Sequence, residues 1–183
     1  MVNELSRRSV LSGLMAGVAG LALTGPAFAL NTEQARNLIN DLVNEINNVI
    51  NSGKPETAMY GDFEKIFIRY ADVPIIARSA LGIAARSASA AQMKAFTLAF
   101  RGYISRKYGK RFREFIGGKL QVESARQVKS FYEVKTTAFL RGESPFEVIF
   151  LVSDKSGRDL FFNMYIEGVN MLATERTEIG AML

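Results

Sequence analysis

The sequence predicts one α+β domain, in which a helical N-terminal half packs on a four-stranded antiparallel sheet. From residue 31 to residue 116 the apolar residues recur at three- and four-residue steps, which is the period of a helix with one apolar face. After Gly117-Gly118 the pattern changes to short alternating segments separated by turns, which is typical of strands. Because the helices precede the strands instead of alternating with them, the α+β class is favoured.

The first 29 residues have the three parts of an export signal. An arginine pair, Arg7-Arg8, precedes an apolar segment from Val10 to Leu23, and the small residues Ala27 and Ala29 fit a cleavage site. We expect residues 1–29 to be an export signal that is cleaved after Ala29, which leaves residues 30–183 as the mature domain. The arginine pair resembles that of a twin-arginine signal. The alternative is an uncleaved membrane anchor, which the glycines of this segment disfavour.

The first two helices are predicted from an apolar stripe and from their end signals. Apolar residues line one face from Ala35 to Ile50. Asn31 and Gln34 form a capping box before this stripe, and Ser52-Gly53 ends the helix. The same spacing predicts a second helix over Glu56–Tyr70.

Two further helices follow in the N-terminal half. Asp72 is a favourable N-cap and Pro74 occupies the first turn, which together predict a short helix. Ser89 and Gln92 form a second capping box that opens the longest helix. Gly109 is expected to interrupt this helix and to be followed by a short turn.

Alternation of apolar and polar residues predicts four strands, separated by the turn sequences "RGESP" and "SDKSGR". The strands lie near residues 120–122, 131–140, 146–152 and 160–166. Some strands carry apolar residues on both faces, such as Ile149 beside Phe150 and Phe161 beside Phe162. The space between the sheet and the helices therefore holds either a densely packed core or an apolar ligand. Composition alone favours the densely packed core.

The closing stretch, Asn163 to Leu183, breaks its apolar pattern at Glu167-Gly168 and then resumes it. We expect Gly168 to provide a sharp turn where a Cβ would clash, and a final helix to follow. Glu167 and Arg176 either pair across this turn or stay separate surface charges.

Missing residue types exclude several classes of site, because the sequence contains no Cys, His or Trp. Zinc sites built on Cys or His, Cys nucleophiles and Ser-His pairs are therefore excluded. One enzyme alternative is a carboxylate base, Glu133 or Glu147, on a cone-shaped α+β sheet. Both acids alternate with apolar residues in their strands, which favours exposure to solvent.

The charge balance is basic, with a net charge of +5. Removing Glu4 and Arg7-Arg8 with the signal leaves 21 basic and 17 acidic residues, a net charge of +4. Such a surplus suits anionic lipid, nucleic acid or an acidic protein. Export disfavours nucleic acid as the partner of the basic cluster Arg106–Arg113, which is either a solvated helix end or a surface for anionic lipid or a protein.

Two sequence motifs carry a resemblance to a known family. Residues Leu81–Tyr108, "LGIAARSASAAQMKAFTLAFRGYISRKY", resemble a pattern in which Leu-Gly precedes Arg-x-Ala-(Ser/Thr)-x-x-Gln at the start of a helix bearing Phe and Tyr. Residues Ile166–Arg176, "IEGVNMLATER", are similar to a closing Ile-Glu-Gly-Val-Ser-Leu-x-x-x-x-Arg. The family is MlaC, the toluene-tolerance type periplasmic phospholipid carriers. The order of signal, helices, strands and closing motif matches as well.

The resemblance implies a curved sheet that packs with the helices around an apolar cavity for the acyl chains of a phospholipid. Family members carry lipid across the periplasm between an outer-membrane lipoprotein complex and an inner-membrane ABC transporter complex, which maintains outer-membrane lipid asymmetry. They are not enzymes. We accordingly expect a monomer with no cofactor, no metal and no nucleic-acid partner. Departures from the family pattern at Ala85, Lys107, Asn163 and Asn170 motivate an alternative ligand, such as a hopanoid or sterol-like molecule.

The candidate cavity residues are the large apolar and aromatic side chains of the helical stripes and the strands. They are Phe67, Tyr70, Ile76, Leu81, Phe96, Phe100, Ile104, Tyr108, Val134, Val148, Phe150, Phe162, Met164 and Ile166. For each of them the alternative is a place in the ordinary core.

Overall fold

The computed structural model describes residues 30–112 and 116–183. The helices are α1 (Thr32–Ile50), α2 (Glu56–Tyr70), α3 (Val73–Leu81), α4 (Ala90–Phe112) and α5 (Met171–Gly180), with a 3₁₀ helix over Gly82–Arg86. The strands are β1 (Lys119–Val128), β2 (Phe131–Phe139), β3 (Phe146–Ser153), β4 (Leu160–Ile166) and β5 (Val169–Asn170). The predicted α+β class is confirmed. The expected export signal, residues 1–29, lies outside the described residues.

The helix starts follow the capping signals in the sequence. Asn31 Oδ1 accepts a hydrogen bond from the backbone of Gln34 at 2.9 Å, and Gln34 Oε1 accepts one from the backbone of Asn31 at 3.0 Å. Ser89 and Gln92 make the same reciprocal pair at the start of α4. The Asp72 side chain caps α3. These bonds satisfy backbone N–H groups that have no partner within the helix.

Helix α4 runs through Gly109 to Phe112, so the expected interruption was wrong. A Cβ placed on Gly109 would lie 2.6 Å from Cδ1 of Tyr60 in α2. The missing side chain therefore lets α4 approach α2 closely, and this packing outweighs the cost of about 1 kcal/mol for glycine inside a helix.

The sheet is an antiparallel meander with the order β1-β2-β3-β4-β5. The expected count of four was therefore short by one strand. Ile166 pairs with Val169 around Glu167 and Gly168. These two turn residues have φ angles of 50° and 78°, which is the conformation of a tight two-residue hairpin turn. An added Cβ on Gly168 would meet nothing within 4 Å, so the turn requires the positive φ and the expected clash was wrong.

A bulge in β4 changes which of its side chains face the core. Leu151 pairs with Asn163 and Val152 pairs with Phe161, which leaves Phe162 as an extra residue in β4. The strict alternation expected for this strand is therefore broken. As a consequence, Phe161 is buried in the main core, whereas the neighbouring Phe162 is only partly buried.

The helices are arranged in two layers over the sheet. Helix α1 packs across β1, β2 and β3, and α2 lies beside it. Helix α4 packs against α2 and α3, while α5 packs against α3 and β4. Because α4 is supported by other helices, space is left between α4 and the sheet. None of the helices in residues 30–112 and 116–183 is long and apolar enough to cross a bilayer.

Arg176 holds the closing helix against α3. Its Nε donates to the carbonyl oxygen of Ser79 at 2.8 Å, and its Cγ would lie 3.4 Å from a Cβ placed on Gly82. Among the described residues no ion pair joins Arg176 to Glu167. Of the two alternatives, the two separate charges are therefore correct.

Leu30 is fixed at the start of the described chain. Its side chain and backbone are buried, with 5% of the residue exposed. Its backbone N–H donates to Asp154 Oδ2 at 3.1 Å, and its carbonyl oxygen accepts from the hydroxyl of Tyr132 at 2.6 Å. These two hydrogen bonds tie the first described residue to the sheet side of the domain.

We predict that Gly109→Ala lowers the free energy of unfolding by about 1–2 kcal/mol, because the clash with Tyr60 outweighs the gain in helix propensity. Gly102→Ala in the same helix is the matched control. Its Cβ would meet the flexible end of Arg106, with Nη1 at 3.1 Å, so we expect it to raise stability by about 0.5–1 kcal/mol. Urea unfolding measures both values; equal effects of the two substitutions would contradict the close approach of α4 and α2.

Candidate functional site

Two adjoining cavities lie between the helices and the sheet. The first has a volume of about 80 Å³ and the second of about 40 Å³. The first cavity is lined by Leu42, Ile46, Phe63, Ile66, Phe67, Ile104, Ser105, Tyr108, Gly109, Phe150, Phe161 and Met164. The second cavity is lined by Phe67, Ile76, Ile104, Tyr108, Phe161, Phe162, Asn163, Met164, Met171, Leu172 and Glu175. They share the wall formed by Phe67, Ile104, Tyr108, Phe161 and Met164.

The lining of the first cavity comes from the apolar faces of three helices, α1, α2 and α4, and of two strands, β3 and β4. Ile104 and Tyr108 are four residues apart in α4 and therefore share one face of that helix. Phe150 of β3 is the direct partner of Met164 in β4. Phe161 packs edge-on against Phe150, with ring centroids 5.5 Å apart. The sequence pattern that makes each element amphipathic thus also makes the cavity wall apolar.

Seven of the fourteen predicted cavity residues line one or both cavities, so the structure brings half of that set together. They are Phe67, Ile76, Ile104, Tyr108, Phe150, Phe162 and Met164. The other seven lie elsewhere in the apolar interior. Phe100, Val134 and Val148 are buried core, Phe96 stacks on Phe100, Ile166 packs against the core, Tyr70 hydrogen-bonds Glu45, and Leu81 belongs to a second cluster with Ala85 and Ile179. A role in ligand binding stays a prediction for the whole set.

Sequence reasoning missed several lining residues of the first cavity, namely Leu42, Ile46, Phe63, Ile66 and Phe161. The four helical residues belong to stripes that the period identifies as apolar, but periodicity alone does not distinguish a cavity wall from a core. Phe161 reaches the cavity because of the bulge at Phe162, for which the sequence carries no signal.

A polar cluster joins α4 to α5 beside the second cavity. We call Tyr103, Lys107, Tyr108, Glu175 and Glu178 the α4–α5 cluster. Lys107 Nζ donates to Glu175 Oε1 at 2.7 Å and also to Glu178 Oε2. The hydroxyl of Tyr108 donates to Glu175 Oε1 at 2.8 Å, and that of Tyr103 donates to Glu178 Oε2 at 3.0 Å.

The hydrogen bonds of this cluster fix its protonation states. Burial would lower the pKa of Lys107, but its hydrogen bonds to Glu175 and Glu178 outweigh burial and raise that pKa. Burial, together with the negative charge of Glu175, raises the pKa of Tyr108. Hydrogen bonds from Lys107 and Tyr103 lower the pKa of Glu178. Around neutral pH, Lys107 is therefore charged, Tyr108 is neutral and Glu178 is ionised.

The contact between α4 and α5 combines long polar side chains with the apolar cluster around Ile179. The two helix backbones approach each other closely at few points, whereas α4 packs extensively on α2 and α5 on α3. Lys107 and Glu178 are partly exposed at the outer side of this contact, and Glu175 is buried at the inner side. The α4–α5 cluster therefore places polar side chains between the solvent and the apolar second cavity.

The two acids of the enzyme alternative lie outside both cavities. Glu133 is ion-paired with Arg126, and Glu147 is ion-paired with Lys135. Arg126 and Lys135 are well exposed, so these pairs lie on the solvent face of the sheet. Within residues 30–112 and 116–183, no group of His, Cys, Asp and Glu side chains is arranged to hold a metal ion.

Comparison with known proteins gives a match to a family model and matches to several solved structures. The model of the family described as MlaC protein matches residues 38–183. A solved structure of a phospholipid-binding protein from Ralstonia solanacearum, in complex with a phospholipid, superposes with a TM-score of 0.69. It is 15% identical in sequence, and the match covers 80% of this chain and 86% of that one. No curated protein matches the sequence significantly.

We predict that Tyr108→Phe lowers the free energy of unfolding by about 2 kcal/mol, because it removes one of the two donors to a buried carboxylate oxygen. Tyr103→Phe is the matched control. Its acceptor, Glu178, is 41% exposed, so water replaces the lost bond and the cost stays below about 1 kcal/mol. Thermal and urea unfolding report both values, and equal losses would argue against a buried anchoring role for Tyr108.

Proposed function

Because this chain belongs to the MlaC protein family, we propose that it is a periplasmic carrier that holds the acyl chains of a phospholipid between its helices and its sheet. The observation that carries the proposal is the pair of adjoining apolar cavities, which share one wall of five apolar or aromatic side chains. The phospholipid in the structural relative, whose fold this chain shares, supports the same class of ligand.

The energetics of lipid transfer explain why a carrier needs such an interior. A diacyl lipid exposes on the order of 30 methylenes to water, at a cost of about 0.8 kcal/mol for each. Apolar walls replace the bilayer interior, so that transfer between membrane and protein becomes nearly neutral and reversible. The cavity walls suit this task, because aliphatic and aromatic side chains make up most of both of them.

Lipid binding requires these cavities to expand. Their volumes of about 80 and 40 Å³ are far below the roughly 300–1,000 Å³ of typical ligand sites. We infer that the α4–α5 cluster is the place where the wall opens. Water can replace the hydrogen bonds of Lys107 and Glu178, whereas separating apolar helix contacts costs about 25 cal/mol for each Å² exposed.

Export and partners follow from the family and from the leader. We propose that residues 1–29 direct export to the periplasm and are cleaved after Ala29. Cleavage there would place the new α-ammonium group of Leu30 beside Asp154, which supports that site. As a monomer, the protein would receive and deliver lipid at an outer-membrane lipoprotein complex and an inner-membrane ABC transporter complex, and so help to maintain outer-membrane lipid asymmetry.

The alternative ligands are less well supported. Of the four departures that motivated a hopanoid or sterol-like ligand, Ala85 packs in the second cluster away from both cavities, whereas Asn163 lines the second cavity. The acids of the enzyme alternative, Glu133 and Glu147, are ion-paired outside the cavities. A binding and transport function therefore agrees best with the placement of these residues.

We predict that protein purified without detergent from cells expressing the full chain carries about one phospholipid per molecule, measured by mass spectrometry of an organic extract. Ile104→Trp fills the shared cavity wall and should reduce the bound lipid severalfold. Leu98→Trp is the matched control on the same helix, where the side chain is 60% exposed, and should leave lipid content unchanged. The absence of phospholipid in the wild type, or a stoichiometric sterol-like molecule instead, would contradict the proposal.

A further inference from the structure

Glu175 places an unused hydrogen-bond acceptor at the second cavity. The residue is 3% exposed, and among the described residues that line this cavity it alone carries a charge. Its Oε1 atom accepts from Lys107 and Tyr108. Its Oε2 atom is fully buried and receives no hydrogen bond from any described residue. A buried carboxylate oxygen left in this state is costly, so its position calls for a ligand group.

The charge around this oxygen favours a cation. Within the α4–α5 cluster, the positive charge of Lys107 faces the two negative charges of Glu175 and Glu178, which leaves one negative charge uncompensated. The apolar side chains on the remaining walls, such as Phe162 and Leu172, cannot neutralise it. A ligand with both a positive charge and an N–H donor satisfies the charge and the hydrogen bond at once.

We propose that Glu175 Oε2 accepts a hydrogen bond from the ammonium group of an ethanolamine-type phospholipid headgroup. This inference rests on the proposed carrier function. It places the headgroup of the lipid in the second cavity and the acyl chains in the first cavity. Lys107 Nζ lies 2.7 Å from the other oxygen of Glu175, so a positive charge for the phosphate of the headgroup is available next to this acid.

Headgroup chemistry separates the possible lipids. An ethanolamine ammonium has three N–H donors and a positive charge, whereas a choline group has the charge but no N–H. A glycerol headgroup has hydroxyl donors, but its lipid carries a net negative charge, which the uncompensated carboxylate repels. The expected order of binding is therefore ethanolamine first, and glycerol and choline after it.

Wild-type protein provides a test that needs no substitution. The protein is equilibrated with vesicles that contain equal amounts of phosphatidylethanolamine, its N-methyl and N,N-dimethyl derivatives and phosphatidylcholine, all with the same acyl chains. Mass spectrometry then measures the bound lipids. We expect the three lipids with an N–H to be enriched about tenfold over phosphatidylcholine, in line with one hydrogen bond to a charged group. Equal loading of all four lipids overturns the inference.

Glu175→Gln provides the matching variant, because it keeps the shape of the side chain but removes the charge. We expect it to lose the preference for N–H donors, so that the four lipids are bound in equal amounts. Glu64→Gln, which changes an acid that pairs with Arg101 outside both cavities, should keep the preference. A preference that survives in Glu175→Gln overturns the inference. If the wild type binds no phospholipid at all, the carrier function itself fails, and this outcome is distinct from binding without headgroup preference.

Discussion

The exclusion of water from the space between α4 and the sheet is the condition on which the rest of the structure depends. Each element around that space contributes one apolar face, from α1 and α2 to β3 and β4. The ion pairs of the sheet, such as Glu133 with Arg126, lie on its other side. Burial of these faces stabilises the fold, and the same faces suit acyl chains, so that folding and the proposed function use one set of residues.

A carrier must also reconcile a stable closed state with room for a large ligand. The interior described here is nearly full, because the two cavities have volumes of only about 80 and 40 Å³. The contact of α4 with α2 is close at Gly109, which makes that side of the wall rigid. The contact of α4 with α5 combines the apolar cluster around Ile179 with the polar contacts between Lys107 and its two acids. Because water can replace these polar contacts, we infer that opening occurs on the α4–α5 side.

Local signals predict much of this fold, and tertiary contacts account for what they miss. The capping residues Asn31 and Ser89 mark helix starts that the structure reproduces, because capping depends only on neighbours in the chain. Gly109 looks like a helix end until α2 lies against it, and the bulge at Phe162 depends on pairing with β3. The candidate cavity was predictable only as a set of apolar residues. Glu175 was not predictable, since its burial depends on where α5 docks.

Cross-linking α4 to α5 tests directly whether the cavity wall opens at the α4–α5 cluster. The chain has no Cys, so a Lys107→Cys/Glu178→Cys variant reacts with a bis-maleimide only at the α4–α5 cluster. Lys135→Cys/Glu147→Cys, from an ion pair on the sheet, is the control. We expect the cross-link between α4 and α5 to block uptake of fluorescent phospholipid from vesicles, while the cross-linked control pair and the unlinked variant still take it up. Undiminished uptake by the variant cross-linked between α4 and α5 would contradict opening at this cluster.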